Sequence, residues 1–299
     1  MPDHPMNNEQ RLKLIQKYIE RMPSLPTTVT KVLEICNKPN TSANDLNRVI
    51  SLDPVLTGQV LKLINSAYYS LPNQISSLTR AIIMLGLNTV KNLALSTAVL
   101  GSVGQQDSFR SLSMDNFWTH SLCVGVTAKS LAIRKGVPAM LQEEFFVGGL
   151  LHDLGKIPLN NCFAQEYRQT LDLAKLEQGP LVRAETMMLE LDHGMVGRLI
   201  AEKWQLNPSL VELLCFHHAP GKAAGANRML ISIVALADIY ANLFDIGSAG
   251  NSYPDLSGIQ AILGFLGMSW TDVSGLHETV QVEIAKARVF LQVAGKEAA

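Results

Sequence analysis

Phe146-Val147-Gly148-Gly149-Leu150-Leu151-His152-Asp153-Leu154-Gly155-Lys156-Ile157-Pro158 is the stretch on which the chain turns. An apolar run of helical character ends in adjacent His and Asp, then Gly, Lys and a Pro expected to stop the helix. A histidine beside a carboxylate can direct two lone pairs at one hard or borderline cation. Alone, such a pair reads as a helix-ending histidine with a surface carboxylate. What changes the reading is the set of residues that the rest of the chain adds to it.

Outward from this stretch, nearly every segment has helical period. Leu12, Ile15 and Ile19 share one side of Arg11–Met22, and Pro23 breaks that helix. Pro26 opens a second helix that runs to Cys36. Thr41 or Ser42 can cap a third, with Asp45 placed to complete a capping box. Asp53-Pro54 starts a fourth. Ser77–Leu85 and Asn88–Leu100 are very apolar helices with Gly86 between them. Gly101–Leu112 is polar and Gly-containing, the best internal boundary, which divides the chain into 1–112 and 113–299. Helices are then expected over Ser113–Lys135, from Pro138 to the His-Asp pair, and over Ala164–Glu177, Leu181–Leu191, His193–Trp204, Pro208–His217 and Arg228–Phe244. Ile259–Val293 reads as helical again. No segment alternates cleanly, so the expected class is all-α.

Composition narrows the function. Hydrophobic residues make up 47% of 299, enough for a sizeable core. Lys plus Arg (25) nearly cancel Asp plus Glu (26), so there is no basic excess to meet a nucleic-acid polymer. Cys36, Cys123, Cys162 and Cys215 are scattered without a CxxC, which reads as a reduced, cytoplasmic chain. Met1–Gln10 lacks the basic start and apolar run of a signal peptide, and no clean membrane span is visible.

Of the seven histidines, His4 and His277 lie near the ends. His120, His152, His193, His217 and His218 fall between them, mostly at helix ends or on inward faces. His120 shares a face with Phe117, Val124 and Leu131, and Asp192 is placed to cap the helix that His193 begins. Asp238 interrupts the apolar run Leu236-Ala237-Asp238-Ile239, where a carboxylate is costly unless a cation or a donor meets it. Five histidines and two aspartates suit two metal ions. One could take His120, His152, Asp153 and Asp238; the other His193, His217 and His218, with Asp153 bridging. Such a pair can activate water and grip a phosphoryl oxygen. Lys156 could neutralise that phosphate, although a lysine after a helix-ending Gly is more often solvated. Met187, Met188, Met195 and Met229 read as core filling.

The order His120, His152-Asp153, His193, His217-His218, Asp238 resembles the HD superfamily of metal-dependent phosphohydrolases. His217-His218 and Gly155-Lys156 are similar to its HD-GYP branch, which cleaves cyclic dinucleotides. Where that branch carries Gly-Tyr-Pro, this chain has Ala219-Pro220-Gly221-Lys222-Ala223-Ala224-Gly225. Met22-Pro23-Ser24-Leu25-Pro26, Leu52-Asp53-Pro54-Val55-Leu56, Asn65-Ser66-Ala67 and Ala81–Leu87 resemble the HDOD domain over about Arg21–Trp204. Many HDOD members lack the metal residues; this chain keeps the whole set.

The resemblance implies a bacterial HDOD signal-transduction protein with an HD-type helical bundle. Its centre would hold two divalent ions of iron, manganese or zinc, and its output would pass through protein partners. The alternative it implies is a phosphohydrolase acting on a nucleotide or cyclic dinucleotide. There Asp153 bridges the ions, an activated water attacks, and Lys156 steadies the phosphate.

Overall fold

The structure is a computed structural model, and it describes residues 6–103 and 111–295. The described residues form helices joined by turns, with no strand among them, so the chain is all-α. The expected boundary between 1–112 and 113–299 falls largely on residues outside the described set, as does His4.

The first helices are bounded by their caps. α1 (Asn8–Arg21) starts at Asn7, whose side chain and that of Gln10 form a capping box. α2 (Thr27–Cys36) follows Pro26. α3 (Ala43–Ile50) is capped by Ser42, with Asp45 completing the box. α4 (Pro54–Ile64) combines an Asp53 cap with Pro at the first position. α5 (Leu78–Leu85) and α6 (Leu87–Ser102) meet at Gly86, whose φ of +88° lets the chain bend by 117°. α6 is buried on every side from Thr89 to Leu100 and runs through the middle of the N-terminal helices. Thr97 Oγ1 and Ser96 Oγ on it both donate to the Leu93 carbonyl, which satisfies hydroxyls that have no water. No single helix among the described residues is long and apolar enough to cross a membrane.

The second group holds the site. α7 (Met114–Arg134) and α8 (Ala139–Leu151) pack at very close range. Gly149 on α8 sits against Gly125 on α7: a Cβ there would lie 2.6 Å from the Gly125 amide nitrogen. This contact brings His120, on α7, to the end of α8, where His152 is the C-cap. The chain then turns through Asp153–Gly155 into α9 (Lys156–Cys162). Pro158 therefore does not stop a helix. It occupies the third position of α9, in the first turn, where its missing N–H is one that would have no intrahelical partner anyway. Likewise Pro138 caps α8 rather than beginning it.

α10 (Ala164–Leu176), α11 (Leu181–Leu189), α12 (His193–Lys203) and α13 (Pro208–Phe216) follow as expected to within two residues. α14 (Arg228–Leu243) is buried from Leu230 to Ala241. The C-terminal stretch is helical as expected, divided into four helices: α15 (Ile259–Leu266), α16 (Trp270–Ser274), α17 (His277–Ala287) and α18 (Val289–Val293). α15 covers α14, α17 covers α7, and α18 returns to α4 and α6, where Gln59 Nε2 donates to the Val293 carbonyl. Its Phe290 packs on Phe146 of α8 and on Tyr68.

The expected methionine filling is mostly absent. Met187, Met195 and Met229 are 55, 46 and 43% exposed, on outward faces of α11, α12 and α14. Met188 is half-buried.

Candidate metal centre

All seven candidate ligands converge, although they come from five parts of the fold. His120 comes from α7, His152 and Asp153 from the end of α8, His193 from the start of α12, His217 and His218 from the end of α13, and Asp238 from α14. They fall into two groups, Asp153/His193/His217/His218 and His120/His152/Asp238, each with ligand atoms within 4.8 Å of one another. Every member is buried except His218, which is half-buried.

Asp153 joins the groups. Its Oδ1 lies 3.3 Å from His193 Nε2 and 3.8 Å from His217 Nε2. Its Oδ2 lies 3.3 Å from His152 Nε2 and 3.7 Å from His120 Nε2. Each oxygen thus faces one group. Across the second group, Asp238 Oδ1 stands 3.1 Å from His120 Nε2 and 3.6 Å from His152 Nε2.

Local structure fixes which nitrogen each ring offers. The His152 Nδ1–H donates to the Gly149 carbonyl at 2.7 Å, and the His217 Nδ1–H to the Leu213 and Leu214 carbonyls. A carbonyl only accepts, so in each neutral ring the lone pair sits on Nε2, facing the centre. His193 is held by a carboxylate. Its Nδ1–H donates to Glu185 Oε2 at 2.6 Å and its backbone N–H donates to the same oxygen at 3.0 Å. Tyr167 donates its hydroxyl to the other oxygen of Glu185. This carboxylate–histidine pairing commonly orients a metal-binding imidazole and raises its basicity. Asn242, one turn after Asp238, donates to Asp238 Oδ1 at 2.8 Å.

The electrostatics match a cation-binding role. Burial pushes His217 well below its ordinary value, reinforced by the neighbouring rings of His218, His152 and His193. Burial and His193 likewise push His218 down to about 4. Both rings are thus neutral, as metal ligands must be. Burial opposes charge on Asp153 and Asp238 too, yet His152, Lys156 and His193 hold the Asp153 carboxyl, and His120 and His152 the Asp238 carboxyl, well below the usual range. Burial would also lower His152, but Asp153 and Asp238 override it and hold the ring at about 10, so a cation bound there would displace a proton from this ring. The centre therefore draws positive charge between its two carboxylates.

The donor set fits metal ions on a second count. His120 Nε2 and His152 Nε2 are buried facing the oxygens of Asp153 and Asp238, and Asp153 Oδ1 is buried without a hydrogen-bond partner. His193 Nε2 faces the Nε2 atoms of His217 and His218 at 3.1 and 2.9 Å. Lone pairs so placed repel one another unless a proton or a cation lies among them.

Lys156 is inside rather than solvated. It is 2% exposed, and its Nζ lies 2.7 Å from Asp153 Oδ2. The turn is drawn inward by Gly155: a Cβ there would overlap the His193 carbonyl and lie 2.6 Å from the Gly197 amide nitrogen.

A cleft of about 320 Å³ opens onto the centre. His217, His218 and Asp238 form its floor, and Lys222, Arg228 and Phe265 lie along its walls. Lys156 does not line it. His277, outside the candidate set, stacks on Phe244 and bonds the Tyr240 hydroxyl.

The HDOD domain family signature matches residues 22–220, two thirds of the chain. The chain belongs to the HDOD domain family. An HDOD domain protein with unknown function from Geobacter sulfurreducens shares 27% identity and superposes with a TM-score of 0.72, covering 95% of this chain and 98% of the other. A protein from Shewanella amazonensis SB2B, provisionally described as a phosphohydrolase, shares the fold at 24% identity, with a TM-score of 0.67 and coverage of 95% and 98%. An uncharacterized protein of Treponema pallidum (strain Nichols) is 26% identical over 239 residues. Those residues are 79% of this HDOD chain but 46% of the treponemal protein, so the chain spans about half the length of that relative.

Proposed function

We propose that this HDOD protein is a metal-dependent phosphohydrolase. The observation that carries the reading is the floor of the cleft. His217 and His218 belong to one ligand group and Asp238 to the other, so a phosphate entering there meets both groups at once. Two divalent ions held by these groups would polarise a phosphoryl oxygen and acidify a water. The protein's part is positional. Asp153 ties the groups together through its two oxygens. Glu185 and the helix-end carbonyls keep the Nε2 lone pairs inward. Lys156, bound to Asp153 Oδ2, steadies the bridging carboxylate rather than the substrate. Iron, manganese and zinc all suit such a donor set.

Family membership favours a second reading, a regulatory protein in which the same centre senses a nucleotide and passes the signal to protein partners. It uses the same ions and cleft and differs only in lacking turnover. Elemental analysis of anaerobically purified protein, beside His152→Ala and Asp238→Ala, tests both. Two equivalents of metal that fall in both variants, with phosphate released from phosphoesters by wild type alone, support the hydrolase. Metal without turnover leaves the regulatory reading. A metal content unchanged in both variants would overturn the ligand assignment.

A further inference from the structure

The floor of the cleft belongs to the metal centre, but its opposite wall lies beyond the residues that match the family. Arg228 opens α14, and Ile262 and Phe265 project from α15. On α15, Ile262, Leu263 and Leu266 are buried against the core, whereas Phe265 is left 43% exposed at the cleft. The Arg228 guanidinium lies over that ring, its central carbon 4.4 Å from the centroid. Across the mouth, the short turn Pro220–Lys222 brings a second cation. A planar cation stacked on an aromatic ring gives a flat group a surface to stack on, and two cations draw a phosphate inward. Asp255 also lines this wall, but Ser257 already occupies its Oδ1 through both its N–H and its hydroxyl. The volume, about 320 Å³, lies at the small end of the ~300–1,000 Å³ typical of small-molecule sites, a size that suits one nucleoside phosphate.

We infer that Arg228 and Phe265 form a recognition wall for a phosphate monoester bearing one planar ring system, a nucleoside monophosphate in chemical class. The ring rests on the Phe265 side, and the phosphate points to His217, His218 and Asp238. The fate of that phosphate rests on the hydrolase reading. There, water forms the new P–O bond, the bond to the nucleoside oxygen breaks, that oxygen takes a proton, and the products are a nucleoside and inorganic phosphate.

The test is calorimetric titration of the full chain, purified anaerobically, with adenosine 5′-monophosphate, inorganic phosphate and a cyclic dinucleotide. Wild type is expected to bind the mononucleotide at least about tenfold more tightly than the other two. Phe265→Ala and Arg228→Met should each weaken mononucleotide binding roughly tenfold. Both should leave metal content unchanged, Phe265→Ala should also leave phosphate affinity unchanged, and Phe265→Tyr should retain binding. Equal affinity for mononucleotide and phosphate, preference for the cyclic dinucleotide, or indifference to Phe265→Ala overturns the inference. Mononucleotide binding that depends on Phe265 without turnover keeps this inference and removes the hydrolase. Turnover that Phe265→Ala leaves unchanged does the reverse.

Discussion

Glu185 holds three groups at once: the ring of His193, the backbone N–H of His193 and the hydroxyl of Tyr167. Replacing it with Gln keeps an acceptor but removes the charge that favours a basic, inward-facing Nε2. We expect Glu185→Gln to weaken metal affinity by ~10–100-fold, measured by competition with a chelator of known affinity. Unchanged affinity would show that the helix start alone orients His193. The candidate ligand residues were legible because their chemistry stands out on apolar faces; Asp238 lies between Ala237 and Ile239. Glu185 was not, although it shares the buried face of Leu181, Ala184 and Leu189. Its neighbours Arg183 and Thr186 make α11 look like an ordinary amphipathic helix, and the helical period was the only signal to be had. Lys156 misled for another reason. A lysine after a helix-ending glycine faces water in most folds, and only the close approach of Gly155 to α12 turns this one inward.

The elements are held to one another by backbones as much as by side chains. Where α7 and α8 cross, a methyl at Gly149 would meet the Gly125 amide nitrogen and, at 2.7 Å, its Cα, neither of which can rotate away. Gly149→Ala is therefore expected to destabilise the chain by on the order of 3 kcal/mol and to lower metal content as His120 and His152 move apart. Urea unfolding monitored by circular dichroism measures the first effect; a midpoint equal to wild type would show that the seam can yield. Helix starts were readable at Ser42, Asp53, Ser113 and Asp192, because a side chain that accepts from the first turn is a local signal. The start of α9 was not, since a proline one turn inside a helix looks in sequence like a proline that ends one. The division of the last stretch into α15–α18 also escaped. Gly267, at φ +59°, ends α15, yet its neighbours continue the apolar pattern.

At the scale of the molecule, the centre joins α7, α8, α12, α13 and α14 through seven side chains, so bound ions would cross-link the bundle. An ion at ~100 times its dissociation constant adds about 2.7 kcal/mol to the folded state. Chelation should thus lower Tm by roughly 5 °C, measured by differential scanning calorimetry before and after dialysis against a chelator. An unchanged Tm would show that no ion bridges these helices in the purified protein. The all-α class was readable from period alone. How α15 and α18 would pack was not, because the partners that bury them are distant in sequence.

The return of α18 to α4 and α6 has a consequence for how the protein is made. Phe290 and Leu291 are needed to close a core with α4 and α6, which left the ribosome more than 180 residues earlier. Until they arrive, the N-terminal helices stand beside an open apolar face. The closing contacts span most of the chain, a separation that slows folding and lengthens the exposure of such surfaces. The N-terminal half of the nascent chain is therefore the part with most to gain from a holding chaperone during synthesis.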